Sequence, residues 1–173
     1  QYSVLDRRPA ARLAPLALER GIQLLCYGSV AGGFLAEAWR GAAEPAAALE
    51  NRSLTKYRLV IDDCGGWGAF QRLLEALGDV AARHGVGIAN VAQRWVLDQP
   101  GTGAVIVGFR SEASARRTLA TLGLTLSAAD HAQLGAVLAE QPMPAGDVYA
   151  AERDARSPHA GIIRYDLNQA SEG

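Results

Sequence analysis

The chain has 173 residues, of which 49% are hydrophobic and 20% charged, so it is long and apolar enough for one domain with its own core. Its 17 basic and 18 acidic residues exclude the strongly basic surface typical of nucleic-acid-binding proteins. No apolar run approaches the roughly 20 residues of a membrane-spanning helix. Cys26 and Cys64 lack the spacing of a metal or redox motif. We therefore expect a cytoplasmic protein with no leader and no membrane or nucleic-acid partner.

The first part of the chain alternates short strand-like runs with helical stripes. Residues 1–5 (QYSVL) predict a strand, and because this pattern starts at once, we expect an N-terminal portion to be missing. Pro9 suits a first helical position, and Gly21 ends the helix that follows. Residues 22–28 predict a second strand, whose continuous hydrophobicity favours cover on both faces.

The second part continues the same alternation. A stripe from Phe70 to Ala81 predicts a helix that ends at His84-Gly85, and a stripe over 88–96 predicts another, stopped by Pro100. Residues 104–108 predict a third strand. Ser111, and then Ser127 with Asp130, begin two more helices. The segment 142–173 is polar and turn-rich, and we interpret it as a tail after a domain over residues 1–141.

Strands that alternate with helices predict a parallel sheet built from βαβ units. Three strands are too few for a closed barrel, which needs about eight. The sequence therefore predicts roughly the last third to half of an α/β architecture.

Two predicted strands end in residues suited to ligand binding. After the second, Tyr27 precedes a run of small residues, 28–33, which suits either a stacking ring with backbone amides for a phosphate, or a tight turn with a core tyrosine. After the third, residues 108–111 open a helix with Arg110, and Arg116 and Arg117 follow. This is either an anion site or a capped surface helix with solvated arginines.

The remaining candidates favour structural roles. Asp62 and Asp63 are adjacent in IDDCGGW, and a role in a loop or a helix cap is favoured over a metal or acid–base pair. The three histidines, His84, His131 and His159, stand in no triad-like arrangement, and we interpret them as structural or solvated.

The segments QYSVLDRR, GIQLLCYGSVAGGFL, GIANVAQRWVLDQPG and AVIVGFRSEASARRTL resemble the aldo-keto reductases in order and spacing. The resemblance covers residues 1 to about 140 and implies part of a (β/α)8 TIM barrel, from about strand 6 to strand 8 with their helices. It implies NADP(H) as cofactor, a nicotinamide ring stacked on Tyr27 and a carboxamide contact from Gln1. It further implies pyrophosphate contacts from Gly28, Ser29, Val30, Ala31 and Gly32, and contacts with the 2′-phosphate and adenine from Gly108, Arg110, Ser114, Arg117 and Thr118.

Two departures qualify the resemblance. The family often has Asn where Thr118 stands and an acid where Arg117 stands, so a two-point amide contact with adenine is lost. The family's catalytic Asp, Tyr, Lys and His lie on the first four strands, which this chain lacks, and Tyr57, Tyr149 and Tyr165 are in the wrong parts of the barrel to replace them.

Two hypotheses follow. The first is the NADP(H)-binding C-terminal portion of an oxidoreductase that acts on a small carbonyl or alcohol substrate. The second is a non-catalytic partial barrel that binds a nucleotide or a partner chain. Either a homo-oligomer or a missing N-terminal half would cover the exposed strand edges.

Overall fold

The computed structural model describes residues 1–47 and 49–162. The predicted tail, 142–173, is therefore described only as far as Ile162. Residues 163–173, Tyr165 among them, lie outside the described residues.

Two parallel strands form the sheet of the described chain. β1 (Leu24–Tyr27) pairs with β2 (Thr102–Ile106), with Leu25 opposite Ala104 and Tyr27 opposite Ile106. The strands predicted at 22–28 and 104–108 are confirmed, although β1 is shorter and β2 begins two residues earlier. The helical connection between them is that of a βαβ unit.

The strand predicted at 1–5 is wrong. The Tyr2 amide donates to the Tyr27 carbonyl oxygen at 3.1 Å, but the ladder stops there because Ser3 turns the chain. The Ser3 hydroxyl accepts hydrogen bonds from the amides of Leu5 (3.2 Å) and Asp6 (3.0 Å). Local side-chain bonding of this kind competes with strand pairing. The segment is nevertheless buried, which explains its apolar pattern.

Helices make up most of the described chain. Their bounds are α1 Leu13–Glu19, α2 Arg52–Asp63, α3 Gly66–His84, α4 Ile88–Leu97, α5 Glu112–Gly123, α6 Ala128–Ala139 and α7 Ala150–Arg153. Pro9 opens a 3₁₀ turn, Arg8–Ala10, instead of α1 itself. The predicted caps are confirmed, since Ser111 accepts from the Ser114 amide and Ser127 from the Asp130 amide. None of the helices within residues 1–47 and 49–162 has the length and apolarity needed to cross a membrane.

The core lies between α3 and its neighbours. α3 buries Phe70, Leu73, Leu74 and Leu77 against α4 and α6. An aromatic cluster of Phe34, Trp39, Trp67 and Phe70 closes one end of it, with ring centroids 4.9–6.3 Å apart. This packing fixes the loop after β1 against α3.

One face of the sheet is uncovered. Leu25 and Ile106 project from neighbouring strands and are 65% and 57% exposed, whereas Cys26, between Leu25 and Tyr27, is buried. Alternate residues of a strand point to opposite faces. Among the described residues, helices therefore cover only one side of the two strands, whereas cover on both faces was expected.

Candidate functional site

A groove of about 890 Å³ runs between the loop after β1 and the start of α5. Six of the predicted cofactor residues line it: Val30, Gly32, Gly108, Arg110, Ser114 and Arg117. Trp39 and Leu49, from the segment between β1 and α2, and Leu54, from the first turn of α2, add an apolar wall. The two loops that stand about 80 residues apart in sequence thus form one concave surface, as parallel pairing of their strands requires.

The N-terminus of α5 is capped by its own side chains. The Ser114 hydroxyl accepts from the amides of Arg110 (3.2 Å) and Ser111 (3.1 Å) and donates to the Ser111 carbonyl oxygen (2.7 Å). The Ser114 side chain, predicted as a cofactor contact, is therefore engaged in the cap. The amides of Glu112 and Ala113 remain at the helix end, where a helix dipole favours an anion.

Arg110 and Arg117 are the two guanidinium groups of the groove wall. Neither forms an ion pair with a described residue, whereas the neighbouring Arg116 donates to Glu112 at 3.0 and 2.6 Å and lies outside the wall. Both guanidinium groups are exposed to solvent, and the wall also includes the carboxylate of Glu50, which pairs with neither of them. Two cations beside a helix N-terminus suit a multiply charged anion.

A buried polar network holds α5 in place on α4. The Asn90 side-chain amide donates to the Arg117 carbonyl oxygen and to the Thr121 hydroxyl, both at 2.8 Å. The Thr121 hydroxyl donates to Gln93 Oε1 at 2.7 Å. These three side chains are nearly fully buried, so the network fixes the helix that carries Arg117. Sequence reasoning missed it.

The small-residue loop is filled from behind by Tyr57 of α2. Gly28 and Gly32 have φ of +74° and +66°, and a β-carbon on either would collide with the Tyr57 side chain. The Ala31 and Gly33 amides donate to the carbonyl oxygens of Gly28 and Val30, both at 2.9 Å. The absence of side chains here is thus required by a contact within the protein, and two loop amides are already satisfied.

Tyr27 lies on a second cavity, of about 400 Å³, which we term the tyrosine cavity. Its wall includes Tyr27, Tyr57 and Tyr149, together with Lys56. The Tyr27 and Tyr149 hydroxyl oxygens are 3.3 Å apart, and burial, followed by this contact, raises the pKa of Tyr27. Tyr27 therefore lines a different cavity from the two arginines.

The other predicted residues lie outside the wall of the groove. Gln1 donates to Asp6 Oδ2 at 2.7 Å, and its Oε1 atom is buried without a partner among the described residues. The Ser29 hydroxyl is likewise buried and unpaired. Gly28 and Ala31 form the inner turn of the loop, and Thr118 lies half-buried along α5.

A buried ion cluster joins the start of the chain to its end. Arg8 donates to Asp6 (2.9 and 2.7 Å) and to both carboxylate oxygens of Glu152 (3.1 Å each). Burial alone would raise the pKa of Glu152, but Arg8 holds it below its usual value. The residues flanking α7 are thereby fixed over the tyrosine cavity. No sequence signal identified this cluster, because its members are up to 146 residues apart.

The histidines and the Asp pair have structural partners. His84, His131 and His159 contact Asp130 (2.9 Å), Asp98 (3.1 Å) and Asp63 (2.8 Å), respectively. Asp62 pairs with Arg58 one turn earlier in α2. Asp62 and Asp63 therefore end a helix and serve different partners, which supports the structural interpretation. Within the described ranges, no three side chains of His, Cys, Asp or Glu are placed to share a metal ion.

These residues fit a dinucleotide phosphate cofactor at its phosphate end. Arg110 and Arg117 match a phosphate dianion, and the groove volume is within the usual range for small-molecule sites. The Gln1 oxygen, predicted as a carboxamide contact, has no partner among the described residues but is closed off from solvent. A nicotinamide ring fits less well on Tyr27, because Lys56 Nζ already lies over that ring, 5.4 Å from its centroid.

Comparison with known proteins agrees with the geometry. A model of the Aldo/keto reductase family matches residues 1–139. The chain is 32% identical to flagellar radial spoke protein 5 of Chlamydomonas reinhardtii over 101 residues, 57% of this chain and 19% of that protein. It is 27% identical to protein tas of Escherichia coli over 136 residues, 79% of this chain and 38% of that protein.

A solved structure shows the same fold. The glycerol dehydrogenase of Gluconobacter oxydans superposes with a TM-score of 0.66 at 19% identity, covering 84% of this chain and 43% of that one. The chain therefore spans less than half the length of the relatives it matches.

Proposed function

The chain belongs to the aldo/keto reductase family, and from that premise we propose that it is the NADP(H)-binding portion of an oxidoreductase acting on small carbonyl or alcohol compounds. The observation that carries the proposal is the pair of guanidinium groups, Arg110 and Arg117, on the wall of the groove, neither of which is ion-paired with a described residue.

The groove favours NADP(H) over NAD(H) through its charge. The two cofactors differ by one phosphate on the adenosine ribose, and guanidinium groups bind such a dianion with two-point hydrogen bonds. We assign that phosphate to Arg110 and Arg117, and the amides at the N-terminus of α5 add a favourable dipole. The adenine would lie toward Thr118, which offers one hydroxyl.

At the opposite end, Gln1 would hold the carboxamide, Tyr27 would stack on the nicotinamide ring, and residues 28–32 would approach the pyrophosphate. Bound NADP(H) would supply or accept a hydride. We propose that the proton at the substrate carbonyl comes from residues outside this chain. The ring of Tyr57 packs against the small-residue loop, and the Tyr149 hydroxyl contacts the Tyr27 hydroxyl.

The test is a fluorescence titration of NADPH and NADH into the full 173-residue chain. We expect a preference for NADPH of about tenfold or more, which corresponds to one charge-assisted contact. The double variant Arg110→Gln/Arg117→Gln should lose that preference and leave NADH binding nearly unchanged.

Arg116→Gln is the matched control, because it removes a guanidinium from the same helix outside the groove. Equal binding of NADPH and NADH, or equal effects of the two sets of substitutions, would refute the proposal.

A second candidate function is a non-catalytic module that pairs with another chain. It is favoured by Leu25 and Ile106, the exposed apolar pair on the open face of the sheet. Sedimentation equilibrium would distinguish the two. A dimer that dissociates in Ile106→Asp and binds neither nucleotide favours the module, whereas a monomer that binds NADPH favours the oxidoreductase portion.

A further inference from the structure

Lys56 is the only lysine in a chain with 17 basic residues, and it does not lie in an open surface position. It is half-buried on the inner side of α2, in the wall of the tyrosine cavity. Its ammonium nitrogen is 5.4 Å from the centroid of the Tyr27 ring and 5.7 Å from that of Tyr57. Both separations are within the range of cation–π attraction.

This ammonium has no carboxylate partner in the part of the chain that the structure describes. Glu152 lines the same cavity, but both of its oxygens bind Arg8 at 3.1 Å. Burial lowers the pKa of Lys56, and the more distant charges of Glu152 and Asp6 offset this only in part. A partly desolvated cation without a counter-ion is a site for an anion.

The rest of the cavity selects for a flat ring. Tyr27, Tyr57 and Tyr149 contribute aromatic surfaces, and the volume of about 400 Å³ suits a small molecule. Tyr149 adopts a left-handed backbone conformation, with φ of +64°, which is strained for a bulky residue and is maintained by the surrounding contacts.

His159 adds an unsatisfied polar atom to the same wall. The side chain is 4% exposed, and its Nε2 atom contacts Asp63 Oδ2 at 2.8 Å. Its Nδ1 atom is buried and unpaired among the described residues. If Nε2 carries the proton, Nδ1 is an acceptor just behind the cavity wall, and a ligand hydroxyl would reach it only after the side chain shifts.

We propose that the tyrosine cavity binds a small aromatic carboxylate, with its ring among the three tyrosines and its carboxylate on Lys56. The wall also includes Arg52, which is exposed, whereas Lys56 is the half-buried cation beside the rings. A planar monoanion fits better than a phosphate, because three tyrosine rings make up much of the wall around Lys56. The cavity shares Tyr27 with the proposed nicotinamide contact, but the anion contact at Lys56 does not rest on the NADP(H) proposal.

The experiment is isothermal titration of the full chain with benzoate, with benzamide as its uncharged counterpart, and with pyrophosphate. We expect benzoate to bind about tenfold or more tightly than benzamide, which is one charge-assisted hydrogen bond. Lys56→Met should remove this difference, and Lys56→Arg, which keeps the charge, should retain most of it. Circular dichroism would establish that each variant is folded.

Arg110→Gln/Arg117→Gln separates the two proposals. It should lose its preference for NADPH and bind benzoate like the unmodified chain. Benzoate binding that is absent, equal to that of benzamide, or unchanged in Lys56→Met would overturn the cavity proposal. Pyrophosphate binding that depends on Lys56 while benzoate binding does not would also overturn it, and would assign the lysine to the cofactor phosphates.

Discussion

The ring of Tyr57 lies against the backbone of Gly32, where a β-carbon would come within 2.6 Å of the Tyr57 Cδ2 atom. This contact joins α2 to the loop after β1. A β-carbon at Gly28 would also collide with Tyr57, so the ring explains why these two positions of the loop carry no side chain. The same contact places the ring between the cofactor groove and the tyrosine cavity.

Gly32→Ala should therefore destabilise the protein by more than backbone conformation alone requires. Gly21 is the matched control, because its φ of +65° equals that of Gly32 (+66°) while a β-carbon there meets no described atom within 4 Å. We expect a loss of about 1 kcal/mol for Gly21→Ala from left-handed strain, and about 1–3 kcal/mol more for Gly32→Ala from overlap. Urea unfolding measures both, and equal losses would show that Tyr57 simply moves aside.

Thr121 controls the position of α5 through its hydroxyl. Thr121→Val leaves Gln93 Oε1 without its donor and Asn90 with one acceptor fewer, which should lower the free energy of unfolding by about 1–3 kcal/mol. Thr121→Ser keeps the hydroxyl and should lose about 1 kcal/mol or less. Thermal unfolding distinguishes them, and a larger loss in the serine variant would indicate that the methyl group matters more than the network.

Asp130 predicts a loss of stability in acid. Burial alone would raise its pKa, but hydrogen bonds from Arg83, His84 and Ser127 hold the pKa well below that of an ordinary aspartate. Between the lowered native pKa and the ordinary pKa of an aspartate, the unfolded chain therefore binds more protons than the folded one. The contribution of Asp130 to the free energy of unfolding is complete above about pH 4 and is lost as the pH falls toward the native pKa.

The check is urea unfolding between pH 2 and pH 7 for the chain and for Asp130→Asn. The variant should be less stable by about 1–2 kcal/mol at pH 7, as for the loss of a helix cap, and the gap should narrow below about pH 4. Glu140→Gln is the control, because it removes a carboxylate from the end of the same helix. Its difference in stability from the unmodified chain should stay the same as the pH falls. A constant difference between Asp130→Asn and the unmodified chain at every pH would contradict the assignment.

Arg8 is the residue whose removal should cost most. Arg8→Met leaves the carboxylates of Asp6 and Glu152 buried without a cation, and we expect a loss of about 3–5 kcal/mol. Glu152→Gln keeps the Arg8–Asp6 pair and should cost less. Adding Glu152→Gln to Arg8→Met should recover part of the loss, because one uncompensated charge disappears. Strictly additive losses in guanidinium unfolding would argue against a coupled cluster.

Local signals predicted the helices and caps well. The stripe from Phe70 to Ala81 and the terminal His84-Gly85 match α3, and the Ser111 and Ser127 caps formed because each requires only atoms within three residues. The same logic failed at residues 1–5, where the Ser3 hydroxyl turned an apolar run away from strand pairing.

Helix α2 was missed, although a signal existed. Asn51 caps it by accepting from the Leu54 amide, and Leu54, Tyr57 and Ile61 follow at helical spacing. The adjacent aspartates and the glycines of IDDCGGW are typical of a loop, and they lie at the end of this helix.

The candidate site was predictable only in part. Parallel pairing explains why the residues after two strands meet in one groove. The separation of Tyr27 from that groove depends on Tyr57, Tyr149 and the Arg8–Glu152 pair, which are long-range contacts that no local pattern contains.

The solitary lysine also has a practical consequence for bioconjugation. Since Lys56 carries the only ε-amine, an acylating dye or a photo-crosslinker with an amine-reactive group would label one side chain of known location, inside a cavity. Such a label would report directly on the tyrosine cavity. Immobilising the protein on a sensor chip through its lysine would instead block that cavity.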